Sequence, residues 1–427
     1  MSRELTEAEQ KELFQTILQI NNSYLDWEKV QHMTLQPACL TNEAIWKAAL
    51  TARAQGATRE VQMGNVTLTW SVPNDTEQIL HDLDVQVAGG KSIGEVMDPK
   101  NDHRYIINAL IDETMASAQL AGFTVTKKMV KELLLKKKPA ANNTEQTLVN
   151  LYKCLQKVKE WSNDAVTEAK LQELHQLLTR DTIKLKGIGR YRTNNKFDGA
   201  NIEGPTYKAA DAKKLKAHMQ WLETFINENK SPFYIHPLLK ACIIEYLITS
   251  LRPFKDANGR LARLVRYWYL LKQGYWVLEY MPVSNVIIKL KPQYHKSFAQ
   301  VQANEDLGYF IHFILQSVRM SYRSLKDGLQ RTNREKEQNP FVKIEGLNNR
   351  QAAALQWIKE DGEKIITIRE LRSGFGVSKE TARTDLTTLT ETGWLKFYHL
   401  NKKTYAFVKG DHFDAQLQNL VPNELNR

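Results

Sequence analysis

Three cysteines in 427 residues, Cys39, Cys154 and Cys242, are isolated and odd in number. That excludes a disulfide framework and offers no zinc spacing. They read as inert thiols of a reducing compartment. No uninterrupted apolar run reaches the roughly 18 residues of a membrane-spanning helix. Met1-Ser2-Arg3-Glu4 leads into charged sequence without the apolar core of a signal peptide, so a cytoplasmic protein with no membrane partner is expected. The excess of one charge sign is mild. A net charge of +11 permits nucleic-acid or acidic-protein partners without demanding either. Hydrophobic content of 42% and charged content of 25% are ordinary for a soluble globular chain, and the length implies two or three domains.

What is present is a stretch around which the rest is organised: Leu251-Arg252-Pro253-Phe254-Lys255-Asp256-Ala257-Asn258-Gly259-Arg260-Leu261-Ala262-Arg263. Upstream, the apolar run from Pro237 to Leu251 is long enough for a buried helix. Downstream, Leu261, Leu264, Val265, Trp268 and Leu271 recur at helical spacing, and Gly274 marks a stop. Arg252 precedes a proline, which disfavours helical backbone, so the chain must turn there. The loop presents the Asn258 and Gly259 amides at the second helix's N-terminus, an anion site. Asp256 can hold a divalent cation such as Mg, and Arg260 and Arg263 share one face with forked donors suited to phosphate. The residues alone describe a cradle for a Mg-nucleotide or polyphosphate.

This loop resembles the signature of Fic-domain proteins (the Fic/DOC family), His-Pro-Phe-x-Asp-Gly-Asn-Gly-Arg-x-x-Arg. The resemblance spans roughly residues 100–325 and implies a mainly α, Fic-type helical fold with a β-hairpin flap. It also implies ATP or another nucleotide as ligand, Mg as cofactor, and AMP transfer to a target hydroxyl with the signature histidine as general base. Two positions depart: Arg252 stands where the histidine belongs, and Ala257 replaces the first glycine. Many family members carry an inhibitory Ser-x-x-x-Glu-Gly whose glutamate pairs with the second signature arginine. Here Ser117 and Gly122 match, but Ala121 replaces the glutamate. Gly187 to Thr193, with Gly189, Tyr191 and Arg192, resembles the start of the target-docking flap. Asn194 to Tyr207 fits its hairpin, with Gly199 and Gly204 at turns. Such a flap binds an extended protein target by main-chain pairing.

Around this core the chain divides into an N-terminal extension (1–100), the Fic domain (101–326), a linker (327–345) and a winged helix-turn-helix (346–412). The extension resembles that of some bacterial family members. It reads as small and mixed: helices over Leu5–Leu25 and Glu43–Ala54, then a hairpin about Gly64-Asn65. A histidine does occur before a proline, at His236-Pro237, but at the far end of the first helix, where it reads as structural. Arg331 to Gln338 is polar and reads as helix tail and linker. Beyond it, Arg350–Glu360 turns Ala353, Ala354 and Trp357 inward, and Thr367 with Glu370 forms a capping box. Ser378 caps a longer helix, and two alternating strands form a wing around Asn401-Lys402-Lys403. Lys379, Arg383, Lys402 and Lys403 are placed to meet DNA phosphates and Thr381 base edges, while Glu380 and Asp385 oppose DNA on the same helix.

An arginine stays protonated at any working pH, so Arg252 cannot accept the target's proton. A general base is worth on the order of 10² to 10⁴ in rate. Ala257 adds roughly 1 kcal/mol of strain if the backbone there has positive φ, and nothing otherwise. The expected function is a nucleotide-holding pseudoenzyme or regulator coupled to the winged helix. Two alternatives stand beside it. One is an active nucleotidyl- or phosphoryl-transferase with a non-standard base. The other is a DNA-binding transcriptional regulator whose Fic part is a structural platform for a homodimer.

Overall fold

The computed structural model describes residues 4–56, 59–63, 66–89, 102–135, 138–183, 188–195, 209–228, 231–401 and 404–420. It is mainly helical and divides into two units, Met1–Lys326 and Asp327–Arg427. Among the described residues no helix is long and apolar enough to cross a membrane.

The first unit opens with helices α1 (Glu7–Asn22), α2 (Trp27–Val30) and α3 (Asn42–Gln55), the last capped by Thr41. Strands β1 (Arg59–Met63) and β2 (Val66–Trp70) pair antiparallel, and helix α4 (Asn74–Leu83) follows. The hairpin turn at Gly64-Asn65 lies outside the described residues. This extension is fastened at several points, one of them a cluster about Arg53. Arg53 pairs with Asp306 at 3.2 Å and lies 4.2 Å over the Tyr24 ring, while the Tyr24 hydroxyl donates to Asp306 at 3.0 Å. Gly308 completes the fit, since a Cβ there would fall 1.8 Å from the Tyr24 hydroxyl.

The body follows as α5 (Asp102–Leu120), α6 (Lys127–Leu135), α7 (Asn143–Glu160), α8 (Glu168–Thr179) and α9 (Leu215–Asn227). Then come α10 (Pro237–Leu251) and α11 (Asn258–Lys272), which pack as a hairpin at the centre. Helix α10 is apolar on every side, so it is buried on every side. Its one carboxylate, Glu245, is fully buried and meets Arg266 of α11 at 2.5 Å and the Tyr294 hydroxyl at 3.1 Å. Helices α12 (Val283–Lys289), α13 (Lys291–Asn304) and α14 (Gly308–Gln338) complete the body.

Residues 331–338, expected as helix tail and linker, continue α14 as helix throughout. Arginine, glutamate, lysine and glutamine are strong helix formers, so polarity alone did not mark an end. Phe341, also expected in the linker, is fully buried in the second unit's core.

The second unit contains α15 (Asn349–Glu360), β3 (Ile366–Thr367), α16 (Ile368–Phe375), α17 (Lys379–Glu391), β4 (Leu395–Asn401), β5 (Thr404–Lys409) and α18 (Phe413–Leu420). Its sheet runs β3-β5-β4, a winged helix with a two-residue third strand that the sequence reading lacked. Helix α15 turns Ala354, Leu355 and Ile358 into the core, whereas Trp357 is half-buried and stacks on Phe375. Thr367 accepts from the Glu370 amide at 3.2 Å, while the Glu370 carboxylate pairs with Lys364.

Removing one partner of a buried pair strands the other charge. Glu245→Ala is therefore expected to cost about 3–5 kcal/mol, read from its urea midpoint. A loss within the surface-substitution range of about 0.5 kcal/mol would contradict the role given to this pair.

Candidate active site

Helix α10 ends where Arg252 takes left-handed backbone, φ 45° and ψ 65°, with its amide still bonded to the Ile248 carbonyl at 3.1 Å. The proline that follows forbids continuation. Helix α11 begins after a second left-handed residue, Ala257, at φ 61° and ψ 13°, whose side chain offers no cap. The side chain of Asn258 braces the turn between them. Its Oδ1 accepts from the Phe254 amide and its Nδ2 donates to the Phe254 carbonyl, both at 2.9 Å. Asp256 accepts the Ala257 amide at 2.6 Å through Oδ1 and pairs through Oδ2 with Arg260 at 3.3 Å. The Asn258 side chain therefore shapes the loop, and what α11 offers an anion is its first-turn amides, including that of Gly259.

Gly189, Tyr191 and Arg192, expected in a docking flap, lie beneath this loop. Arg192 is 2% exposed. Its Nε donates to the Arg252 carbonyl at 2.7 Å and its Nη2 to the Leu251 carbonyl at 3.2 Å, while its own amide donates to the Pro253 carbonyl at 3.0 Å. The remaining donors reach Ala210 and the Asn194 and Asn195 oxygens. The Tyr191 ring packs on Phe254. Gly189, at φ 64°, donates its amide to His175 Nδ1 at 3.0 Å, and a Cβ there would lie 2.3 Å from Gln176. Of the hairpin expected over Asn194 to Tyr207, residues 196–207, with Gly199 and Gly204, lie outside the described residues.

His175 is the residue that sequence reasoning missed. It is fully buried, stacks on Phe254 with ring centroids 3.8 Å apart, and directs Nε2 at the Asp256 carbonyl at 3.3 Å. Because Nδ1 accepts the Gly189 amide, the proton sits on Nε2 and the ring is neutral. Burial, aided by Arg260, pushes its pKa down to about 4. Both nitrogens are committed to backbone, so His175 supports the loop and supplies no lone pair for catalysis. Its signal was available: with Leu171, Leu174 and Leu178 it completes the inward stripe of α8. His236 caps α10 through Nδ1 on the Leu238 amide and meets Asp84 at 2.9 Å. It is a structural histidine one helix length away.

The two signature arginines are both buried, with different partners. Arg260 spends Nη2 on Asp256 and lies over the Phe123 ring. Its Nε and Nη1 are buried without a hydrogen-bond partner among the described residues. Unpaired buried guanidinium donors are costly unless an anion completes them. Arg263 donates Nε to the Ser117 hydroxyl and Nη2 to the Ser117 carbonyl, both at 2.9 Å. Ala121 is buried near the end of α5, and Gly122 closes the turn at φ 89°. At this motif a neutral hydroxyl and carbonyl thus receive Arg263. Among the described residues no group of three or more His, Cys, Asp or Glu could hold a metal by itself. Asp256 is a single carboxylate, about one-third exposed.

In the second unit Lys379 and Arg383 are exposed on α17. Thr381 is half-buried, its amide and hydroxyl engaged by the Ser378 cap. Lys402 and Lys403 lie outside the described residues. Asp385, counted above as opposing DNA, is instead buried, bonded to Arg350 at 2.5 and 3.0 Å and to Asn348 at 2.7 Å.

Two family models match the chain: the Fic/DOC family over residues 165–270 and the DeoR-like helix-turn-helix domain over 350–399. The chain carries both domains. A "Protein adenylyltransferase Fic" of Aedes aegypti is 30% identical over 156 residues, 36% of this chain and 28% of that protein. The protein of the same name from Nematostella vectensis is 26% identical over 215 residues, 50% of this chain and 45% of that one. The matched region thus spans less than half the length of either relative. Among solved structures, a Fic family protein from Desulfovibrio desulfuricans is similar with a TM-score of 0.52 at 22% identity. That match covers 78% of this chain and 96% of that one, and it shows the fold.

Ala257 at positive φ is strained by about 1–2 kcal/mol. Ala257→Gly relieves that strain and gives back roughly 0.4–1 kcal/mol through the unfolded chain. A net gain of up to about 1 kcal/mol is expected from denaturant unfolding. A loss would mean that alanine suits this turn.

Proposed function

We propose that the first unit is a nucleotide-holding Fic domain without the family's base, acting as a regulator of its winged-helix unit. The observation that carries the reading is Arg260, whose buried Nε and Nη1 lack a hydrogen-bond partner among the described residues. They lie one turn into a helix whose first amides are also open donors. Phosphate oxygens match both sets, and ATP is the expected nucleotide. Magnesium fits as an ion carried in on the phosphates, since Asp256 alone is a sparse donor set and Mg²⁺ commonly takes one or two carboxylates plus phosphate oxygens. When bound it would neutralise phosphate charge.

This chain's residues then divide the work. Arg260 and the α11 amides bind the anion, and Asn258 and Arg192 hold the loop in shape. Arg263 gives Nε and Nη2 to Ser117. Arg252 adds positive charge and cannot take a proton from a hydroxyl. Exposed Lys379 and Arg383 support DNA as the partner of the second unit, and the burial of Asp385 removes one opposing charge from its helix. A protein target at the flap belongs to the same reading.

Calorimetric titration with ATP and Mg²⁺ tests it. The wild type is expected to bind. Arg260→Ala, which removes hydrogen bonds to a charged ligand worth about 1.5–3 kcal/mol each, is expected to bind at least tenfold more weakly. ATP is also expected to change the wild type's affinity for DNA and to leave that of Arg260→Ala unchanged. A wild type that binds no nucleoside triphosphate would overturn the proposal.

A further inference from the structure

Away from the signature loop, a groove of about 420 Å³ lies along the outer edge of β1, across from residues 231–235 and α9. The hairpin's register says what that edge presents. In an antiparallel pair, facing residues alternate between bonding each other and bonding outward. Thr69 of β2 bonds outward, donating to the Glu305 carbonyl at 2.9 Å and accepting from the Leu307 amide at 2.7 Å. Glu60 faces Thr69 across the ladder. Glu60, and Gln62 two residues on, therefore turn their amides and carbonyls away from β2, on the side where both line the groove. Neither backbone makes a bond there to any described residue. One edge of this ribbon is fastened to the body and the other is open.

The groove is aromatic within and acidic at its margin. Trp221 and Phe225 stack with ring centroids 5.2 Å apart on one wall, and Phe233 packs on Trp70 at the other. Tyr234 stands 70% exposed at the rim. Lys240 is an internal cation, its Nζ donating to the Glu228 carbonyl and lying 5.2 Å over Phe225. Glu60 and Glu228 flank the opening, and the groove continues past Thr224 into a trough lined by Glu168 and Glu223.

We propose that this groove takes an extended, basic segment of a protein partner, added to the hairpin as a third strand on β1. The outward groups of Glu60 and Gln62 set the register by main-chain bonds. Strand periodicity then sends alternate side chains in among Trp221, Phe225 and Phe233. Lysine or arginine side chains between them meet Glu60, Glu228 and Glu223. The carboxylates choose the sign of the segment, and the aromatic walls ask for an apolar residue at every second position.

Fluorescence anisotropy of the full chain with a labelled short peptide alternating lysine and valine is the test. Two comparison peptides are used, one N-methylated on alternate backbone amides and one with glutamate for lysine. Saturable binding is expected for the lysine peptide alone. Both Gln62→Pro, which removes an outward amide, and the surface change Glu60→Lys are expected to weaken it at least about tenfold. Equal binding of the N-methylated or glutamate peptide would overturn the proposal, as would a Glu60→Lys variant that binds like wild type. Absence of peptide binding together with self-association that Glu60→Lys abolishes would assign the edge to a second copy of the chain. Absence of both would leave the groove without this function.

Discussion

A single buried guanidinium, that of Arg192, holds the turn on which the site depends. It donates to the carbonyls of Leu251 and Arg252, where α10 has just run out of helical partners, while its own amide takes the Pro253 carbonyl. Last-turn carbonyls need donors, and a charged donor is worth about 1.5–3 kcal/mol per bond. The cost of burying that charge is offset because its donors are spread over several oxygens. With the carbonyls fixed below, Asn258 can cross-brace the turn above, and α11 starts with its open amides in a set place. His175 fills the remaining side, stacked on Phe254 and bonded to the loop at Asp256. Every one of these contacts serves shape, none proton transfer.

The chemistry follows from which donors are left over. Arg260 retains two buried ones, whereas Arg263 is engaged by Ser117. On the proposed reading an anion meets Arg260, the first of the two signature arginines, at these donors. The second is held by neutral oxygens, which grip a guanidinium less tightly than a carboxylate does. Arg252 brings a positive charge to the loop and, as an arginine, cannot accept a proton.

The loop's outline was legible in the sequence because proline, asparagine and glycine act on the backbone locally. The Arg252-Pro253 break, the start of α11 and the Ser378 cap all follow from such local rules. Whether Ala257 had positive φ was left open, since alanine carries no signal for left-handed backbone; it does have it. Asp385 was misplaced for a physical reason. A charged residue in a polar stretch reads as surface, and only tertiary packing discloses that it is buried against Arg350 and Asn348. His175 was overlooked because it sits among leucines, where the eye takes the stripe and passes over its one polar member. Where the tail of α14 gives way to linker was hidden by composition, since charged residues serve linkers and exposed helices alike.

The central claim is that a shaped anion cradle persists without a base, and label transfer tests it most directly. Wild type and Arg252→His are incubated with α-labelled ATP and Mg²⁺, and label is followed on protein. The account predicts none on the wild type and incorporation with Arg252→His, because a histidine restores the proton acceptor to a loop already held in place. Label on the wild type would contradict it and require a base that these residues do not supply.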